Sequence, residues 1–239
     1  MKEKYILATD LDGTLVGNTS AVQELFQYFN KRHTKLKLVY ITGRHITSAL
    51  QLIRKEKLPT PNILICDLGS SIYLQSGTDE FIEDKEWKKK MNTNWSPSSV
   101  IRVVKKLGLQ LQSGISHTKR ISLHVTCEQE IKDLFHALIQ RNIAHNGIYS
   151  SGKGLDILPE NSGKGEALTF VLQKYFKYIQ SVLVAGNSGN DLDMLCLGYP
   201  SVIVGNAEKE LQEVNNLPLL YKARSPYARG IKEGWEFFF

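Results

Sequence analysis

The stretch Tyr5-Ile6-Leu7-Ala8-Thr9-Asp10-Leu11-Asp12-Gly13-Thr14 decides how this chain is read. An apolar run of strand composition ends in two carboxylates two residues apart. Buried strands rarely end this way unless something offsets the gathering of negative charge. A hard cation does so. In an extended strand the period of two sends both aspartates the same way, Gly13 bends the chain, and Thr14 offers a hydroxyl. Such a tip suits a divalent metal, a nucleophilic carboxylate, and a second carboxyl serving as acid or base. Over these residues alone an Asp-Gly turn closing a strand would look the same, so the rest of the chain must decide.

Working outward, 36–41 and 62–66 read as further buried strands. Between them Ile46, Ala49, Leu50 and Ile53 recur at i, i+3, i+4, i+7, the spacing of a one-faced helix. Val22, Leu25, Phe26 and Phe29 repeat that spacing, with Ser20 and Gln23 as a capping box. Strands alternating with helices at these lengths predict parallel pairing with right-handed crossovers. Near residue 80 the pattern changes. Helical stretches at 97–107 and 128–141 interleave with strands near 109–112, 120–126, 143–149 and 155–158. Ile121, Leu123 and Val125 alternate with Ser122, His124 and Thr126, as in a sheet covered on one face. The first pattern then returns: a helix from 163 with Ala167, Leu168, Val171 and Leu172 on one face, a strand at 181–185, a short helix through 195, and strands at 200–204 and 217–221. The chain is therefore read as an α/β protein whose parallel-sheet core, residues 1–80 and 160–239, is interrupted by an α+β unit at 81–159.

Composition narrows the functional class. With 42% hydrophobic and 23% charged residues the 239-residue chain should fold as an ordinary soluble globule. No apolar run approaches the roughly 20 residues that span a bilayer, and the first residues carry no signal-peptide pattern, so the expectation is a cytoplasmic protein without a membrane partner. Cys66, Cys127 and Cys196 lie in apolar contexts without CxxC spacing and read as reduced core cysteines. The net charge of +6 suits an anionic substrate. It does not argue for nucleic acid, because the basic residues are scattered and the run Trp87-Lys88-Lys89-Lys90 reads as a solvated face. The six histidines show no zinc spacing; His124 reads as a sheet-surface residue, and His45 stands at a helix start near the site. The aromatic end, Trp235 to Phe239, packs on the core or on a second subunit, leaving monomer and weak homodimer both open.

Four polar features stand at strand ends or helix starts: Asp10 with Asp12, Thr42-Gly43-Arg44, Lys164, and the loop Asn187-Ser188-Gly189-Asn190-Asp191. Ligands of open parallel sheets gather at the carboxyl ends of the strands, so all four can converge. Together they can bind a phosphate and a metal. Magnesium would offset the repulsion between Asp10 and a phosphoryl group, while Lys164, Thr42 and backbone N–H groups would hold phosphoryl oxygens. The segment Ser162-Gly163-Lys164-Gly165 is not a Walker A loop, since Gly165 replaces the Ser or Thr and the glycine spacing is wrong.

With these motifs in this order, the chain resembles the haloacid dehalogenase-like phosphatase superfamily, and the inserted unit resembles that superfamily's C2-type cap. The segments 68–73, 151–159 and 227–231 are similar to the sucrose-phosphate phosphatase branch. The resemblance implies a Rossmann-like core and a magnesium-dependent hydrolysis of a sugar phosphate, sucrose 6-phosphate or a relative. Asp10 would be the nucleophile and Asp12 the acid and base. Thr42, Gly43, Arg44, Lys164 and Asn190 would bind the phosphorylated end, while Lys153 and Asp156 would hydrogen-bond sugar hydroxyls. Asp10, the Asp12 carbonyl, Asn187 and Asp191 would hold Mg2+. Two positions depart from the family pattern. Asn187 stands where an aspartate is common, which predicts weaker metal binding unless Asp191 or Asp193 moves in. Gly154 stands where an acidic residue is common, which loosens or changes sugar choice. Alternatives within this reading are a mannosyl, trehalose or amino-sugar phosphate as substrate, a phosphotransferase, and a non-catalytic sugar-phosphate sensor.

Overall fold

The computed structural model describes residues 4–77, 80–150, 154–179 and 181–239. Eight strands form one large sheet in the order β12-β11-β10-β1-β2-β3-β4-β5. Its centre is β1 (Lys4–Asp10), flanked by β2 (Lys35–Ile41) and β10 (Ser181–Gly186), with β3 (Ile63–Cys66) and β11 (Ser201–Ile203) beyond them and β12 (Leu220–Lys222) at one edge. All of these pair in parallel, with Asp10 opposite Ile41 and Thr9 opposite Ala185. The alternating pattern of apolar strands and one-faced helices thus gives the α/β core it predicted. Residues on successive positions of β1 feed opposite layers, Leu7 into one and Ile6 and Ala8 into the other.

The first layer comes from α1 (Thr19–Lys31), α2 (Ile46–Lys55) and α9 (Tyr227–Phe238), through Leu25, Phe29, Ile53, Ile231 and Trp235. Trp235 packs on Phe29 at 4.7 Å and Tyr5 at 5.3 Å between ring centroids, so the aromatic end is seated on this chain's own core. The second layer comes from α6 (Lys164–Tyr175), α7 (Leu192–Leu195) and α8 (Lys209–Gln212), through Leu168, Val171, Met194 and Leu211. The cap of α1 differs from expectation: Asn18, not Ser20, accepts from the Ala21 amide at 3.0 Å, and Ser20 lies in the first turn.

A second, antiparallel sheet has the order β6-β7-β9-β8, from β6 (Gln110–Leu111), β7 (Ile121–His124), β8 (Asn146–Ser150) and β9 (Gly154–Leu158). One face is covered by α4 (Pro97–Lys106) and α5 (Glu128–Ile139), with Val100, Val104, Ile121, Leu123, Leu134 and Leu155 as a separate core. His124 is exposed on the other face, as its alternation implied.

The segment 81–92 corrects the sequence reading. β4 (Ser71–Gln75) and β5 (Phe81–Glu83) extend the large sheet as antiparallel strands, and α3 (Lys85–Asn92) seats Trp87 and Met91 in the second layer of the core. The three lysines after Trp87 stay exposed, so the run is solvated on one side only. A second correction concerns the cysteines. Cys66 is buried, but Cys127 and Cys196 are exposed, because each sits at a helix end where the chain turns outward. Among the described residues no helix is long and apolar enough to cross a membrane.

Candidate active site

Parallel pairing puts the carboxyl ends of β1, β2, β3 and β10 on one edge, and the polar features converge there. β1 ends at Asp10, whose side chain is buried. Lys164, the first residue of α6, is 1% exposed and reaches between two carboxylates: its Nζ donates to Asp10 Oδ1 at 2.8 Å and to Asp191 Oδ1 at 2.6 Å. A lone buried ammonium would cost several kcal/mol; two carboxylates offset that cost and leave the triad with net negative charge. Burial pushes the Asp10 carboxyl above its ordinary pKa, with Lys164 opposing and Asp191 adding to the rise. Burial also works against the Lys164 ammonium, but Asp10 and Asp191 outweigh it and hold its pKa above that of an ordinary lysine.

The placement of Lys164 depends on two supports. The Gly165 amide donates to Asp193 Oδ2 at 2.8 Å, so Asp193 anchors the start of α6 and stays away from the site. Gly69, at φ +95°, lies against the Gly163 carbonyl so closely that any β-carbon there would collide with it.

Asp10 Oδ2 is buried and has no hydrogen-bond partner among the described residues. Asp12 lies beyond the strand, half exposed, and Arg44 clamps it with two bonds, Nε to Oδ2 at 2.7 Å and Nη2 to Oδ1 at 2.8 Å. The chain therefore bends after Asp10 and does not carry both aspartates on one extended strand, yet both reach the same cavity. Thr14 donates to Asn187 Oδ1 at 2.9 Å, and Gly13, at φ +81°, leaves the space that the Asn187 carboxamide fills. Asp191 is fully buried: Lys164 takes one oxygen, and the amides of Asn187 and Ser188 donate to the other at 2.8 and 3.0 Å. Its oxygens thus fix Lys164 and the 187–191 loop. Among the described residues no three Asp, Glu, His or Cys side chains gather as a ligand cluster. Asp10, Asp12 and Asn187 line one cavity together.

A cavity of about 480 Å³ opens over this edge. Asp10, Asp12, Lys164, Asn187 and Asn190 line one end of it. Gly43, Arg44, His45 and Asp67 continue the wall, and Gly114, Ile115, Ser116 and Arg120 close it from the inserted unit. Thr42 is fully buried beneath this wall, and its hydroxyl accepts from the Arg44 amide at 3.1 Å. Asp156 is also buried and does not line the cavity; its Oδ1 accepts from Arg120 Nη1 at 3.1 Å and from the Ser122 hydroxyl. Lys153 lies outside the described residues. The sequence reading missed Asp67, Ser116 and Arg120. For Asp67 a signal existed: it follows the last residue of β3, the same strand-end position that singled out Asp10.

The chain matches the family described as Sucrose-6F-phosphate phosphohydrolase over residues 3–239. It is 30% identical to Probable sucrose-phosphatase 3a of Arabidopsis thaliana over 98% of its own length, and spans 60% of that relative. It is 29% identical to the mannosylfructose-phosphate phosphatase of Agrobacterium fabrum over 88% of its length and 87% of the relative. Among solved structures it is similar to the sucrose-phosphatase of Synechocystis sp. PCC6803 in complex with sucrose and phosphate, with a TM-score of 0.87, 30% identity, and coverage of 99% of this chain and 98% of that one.

Proposed function

The chain belongs to the sucrose-6F-phosphate phosphohydrolase family, and we propose that it is a magnesium-dependent phosphatase that hydrolyses sucrose 6-phosphate or a closely related sugar phosphate through an aspartyl-phosphate. One observation carries the reading. Asp10 lines the cavity with one buried oxygen that has no partner among the described residues, while its other oxygen is tied to Lys164, itself held by Asp191. A carboxylate oriented in this way is a positioned nucleophile.

In the first step an Asp10 oxygen forms a bond to phosphorus as the bond from phosphorus to the sugar oxygen breaks, and Asp12 gives that oxygen a proton. In the second, Asp12 takes a proton from water, whose oxygen bonds to phosphorus as the phosphorus–oxygen bond of the Asp10 acyl phosphate breaks, releasing phosphate and the free Asp10 carboxylate. Asp12 pairs with Arg44 in the resting site. An arriving phosphoryl group competes for that guanidinium, freeing Asp12 to face the ester oxygen. Lys164 balances negative charge on Asp10 and the phosphoryl group, and the buried Thr42 hydroxyl fixes the turn that presents Gly43 and Arg44.

The donor set fits magnesium: a free carboxylate oxygen on Asp10, the Asp12 carbonyl and the Asn187 carboxamide are hard oxygens, and magnesium commonly takes one or two carboxylates with water and substrate phosphate completing the shell. Bound there, it would neutralise charge between Asp10 and the phosphoryl group. Asp191, expected among the ligands, is left out of the set because it does not line the cavity and both of its oxygens are engaged, whereas Asn187, though it accepts from Thr14, does line it.

The similarity to a mannosylfructose-phosphate phosphatase keeps a second disaccharide phosphate in view. Phosphate release over a panel containing sucrose 6-phosphate, mannosylfructose phosphate, trehalose 6-phosphate and glucosamine 6-phosphate, with magnesium or EDTA, tests the reading. Release from a disaccharide phosphate that EDTA abolishes and magnesium restores supports it. Binding without release would favour a sensor, and a phosphorylated acceptor without free phosphate would favour a transferase.

A further inference from the structure

Away from the phosphate end, the cavity contains a second polar feature that neither the motifs nor the nucleophile assignment uses. Asp67 follows β3 and is 3% exposed, yet it lines the cavity. Its Oδ2 has no hydrogen-bond partner among the described residues. Arg120, just before β7, lines the same cavity, and its Nε likewise has no partner among the described residues. The two are not an ion pair: the Arg120 guanidinium bonds to Asp156. Buried polar groups are nearly always paired, and an unpartnered acceptor and an unpartnered donor lining one cavity fit a ligand that supplies both.

The surroundings say what kind. Burial raises the Asp67 pKa, and His45, Arg120, the Ser71 hydroxyl and Lys119 oppose the rise. A substrate ammonium there would meet three basic side chains, and a substrate carboxylate would meet Asp67. A hydroxyl meets neither penalty, since it donates to the aspartate and accepts from the arginine. The position is also held firmly. Asp67 and Leu68 both have positive φ, +53° and +56°, a conformation costly for non-glycine residues. The Trp87 indole donates to the Gly69 carbonyl at 2.9 Å and fixes the turn from below.

We propose that Asp67 is a specificity-determining residue: with Arg120, which Asp156 positions, it hydrogen-bonds hydroxyls of an uncharged sugar ring, and so selects neutral sugar phosphates over amino-sugar or sugar-acid phosphates. This rests on the sugar-phosphatase reading of the same cavity.

The test compares wild type, Asp67→Asn and Asp67→Ala on sucrose 6-phosphate (or mannosylfructose phosphate, if that is the better substrate) and on p-nitrophenyl phosphate. Asn tolerates positive φ as Asp does, so the Asn variant keeps the turn. For Asp67→Ala, KM for the sugar phosphate should rise about tenfold or more, the loss expected when a hydrogen bond to a charged group is removed. The Asn variant should show a smaller rise. Both should keep the wild-type kcat/KM on p-nitrophenyl phosphate, which has no sugar hydroxyls. Equal losses on both substrates, or no change on either, would overturn the assignment. The two readings fail differently. A wild type that cleaves p-nitrophenyl phosphate but no sugar phosphate removes the sugar reading and this proposal with it. A wild type that cleaves sugar phosphates, with variants indistinguishable from it, removes only the proposal.

Discussion

The two ends of the cavity are built on opposite plans. At the phosphate end, Lys164, Asp191, Thr14 and Asn187 are tied to one another, and among the described residues this network leaves Asp10 Oδ2 without a partner. At the end facing the inserted unit, Asp67 and Arg120 each keep a buried polar atom without a partner among the described residues, whereas at the phosphate end the carboxamide oxygen of Asn190 is the further unpaired atom beside Asp10 Oδ2 in the cavity lining. A closed network fixes a reaction, because the groups around the nucleophile already have their partners. An open one leaves room for choice, because its unmet hydrogen bonds must come from whatever binds. The chemistry should therefore break outright when the first end is changed, whereas changes at the second should alter only which substrate is preferred.

The largest effect should come from Asp10→Asn. It removes the nucleophile and keeps the shape, so turnover should fall by at least about a thousandfold, as when other covalent nucleophiles are deleted, with the thermal midpoint near that of wild type. Retained turnover would place the nucleophile elsewhere. Lys164→Met should rank next. It leaves Asp10 and Asp191 buried together without their cation, and breaking such a pair costs about 3–5 kcal/mol, readable in urea denaturation. A loss below about 1 kcal/mol would show that the triad is not closed as described.

Asn187→Asp should act more gently. A charged oxygen in place of a neutral one should lower the magnesium concentration for half-maximal activity, and an unchanged titration would remove Asn187 from the ligand set. The smallest effect should come from Arg229→Ala. Arg229 lies in a segment similar to the sucrose-phosphate phosphatases, but among the described residues its side chain makes an exposed ion pair with Glu24, at 2.9 Å. Such pairs contribute little, so kcat/KM should not move; a substantial loss would bring that segment into the site.

The same contrast separates what could be read in the sequence from what could not. The strand ends carrying Asp10, Thr42 and Asn187 stood out because parallel strands buried on both faces are unbroken apolar runs, and polar residues after them are conspicuous. β4, β5 and α3 gave no such signal. The first two are short antiparallel additions at the edge, and α3 is lysine-rich, with only Trp87 and Met91 turned inward. Asp156 was picked out, but its carboxylate positions Arg120 instead of lining the cavity. Arg120 was missed because an arginine before a strand is usually a solvated charge, and only its place in the cavity lining, close to Gly43, makes it part of the site. Asp67 needed no tertiary knowledge, only the strand-end rule applied once more.

The central claim is that Asp10 attacks phosphorus, and trapping that bond tests it most directly. Wild-type protein mixed with sucrose 6-phosphate and magnesium is quenched in acid within the first turnovers, digested, and weighed by mass spectrometry. The peptide carrying Asp10 should bear a phosphoryl group that is lost on treatment with hydroxylamine and absent from Asp10→Asn. Phosphate release during steady turnover, with the phosphoryl group on another residue or with Asp10→Asn still active, would contradict it.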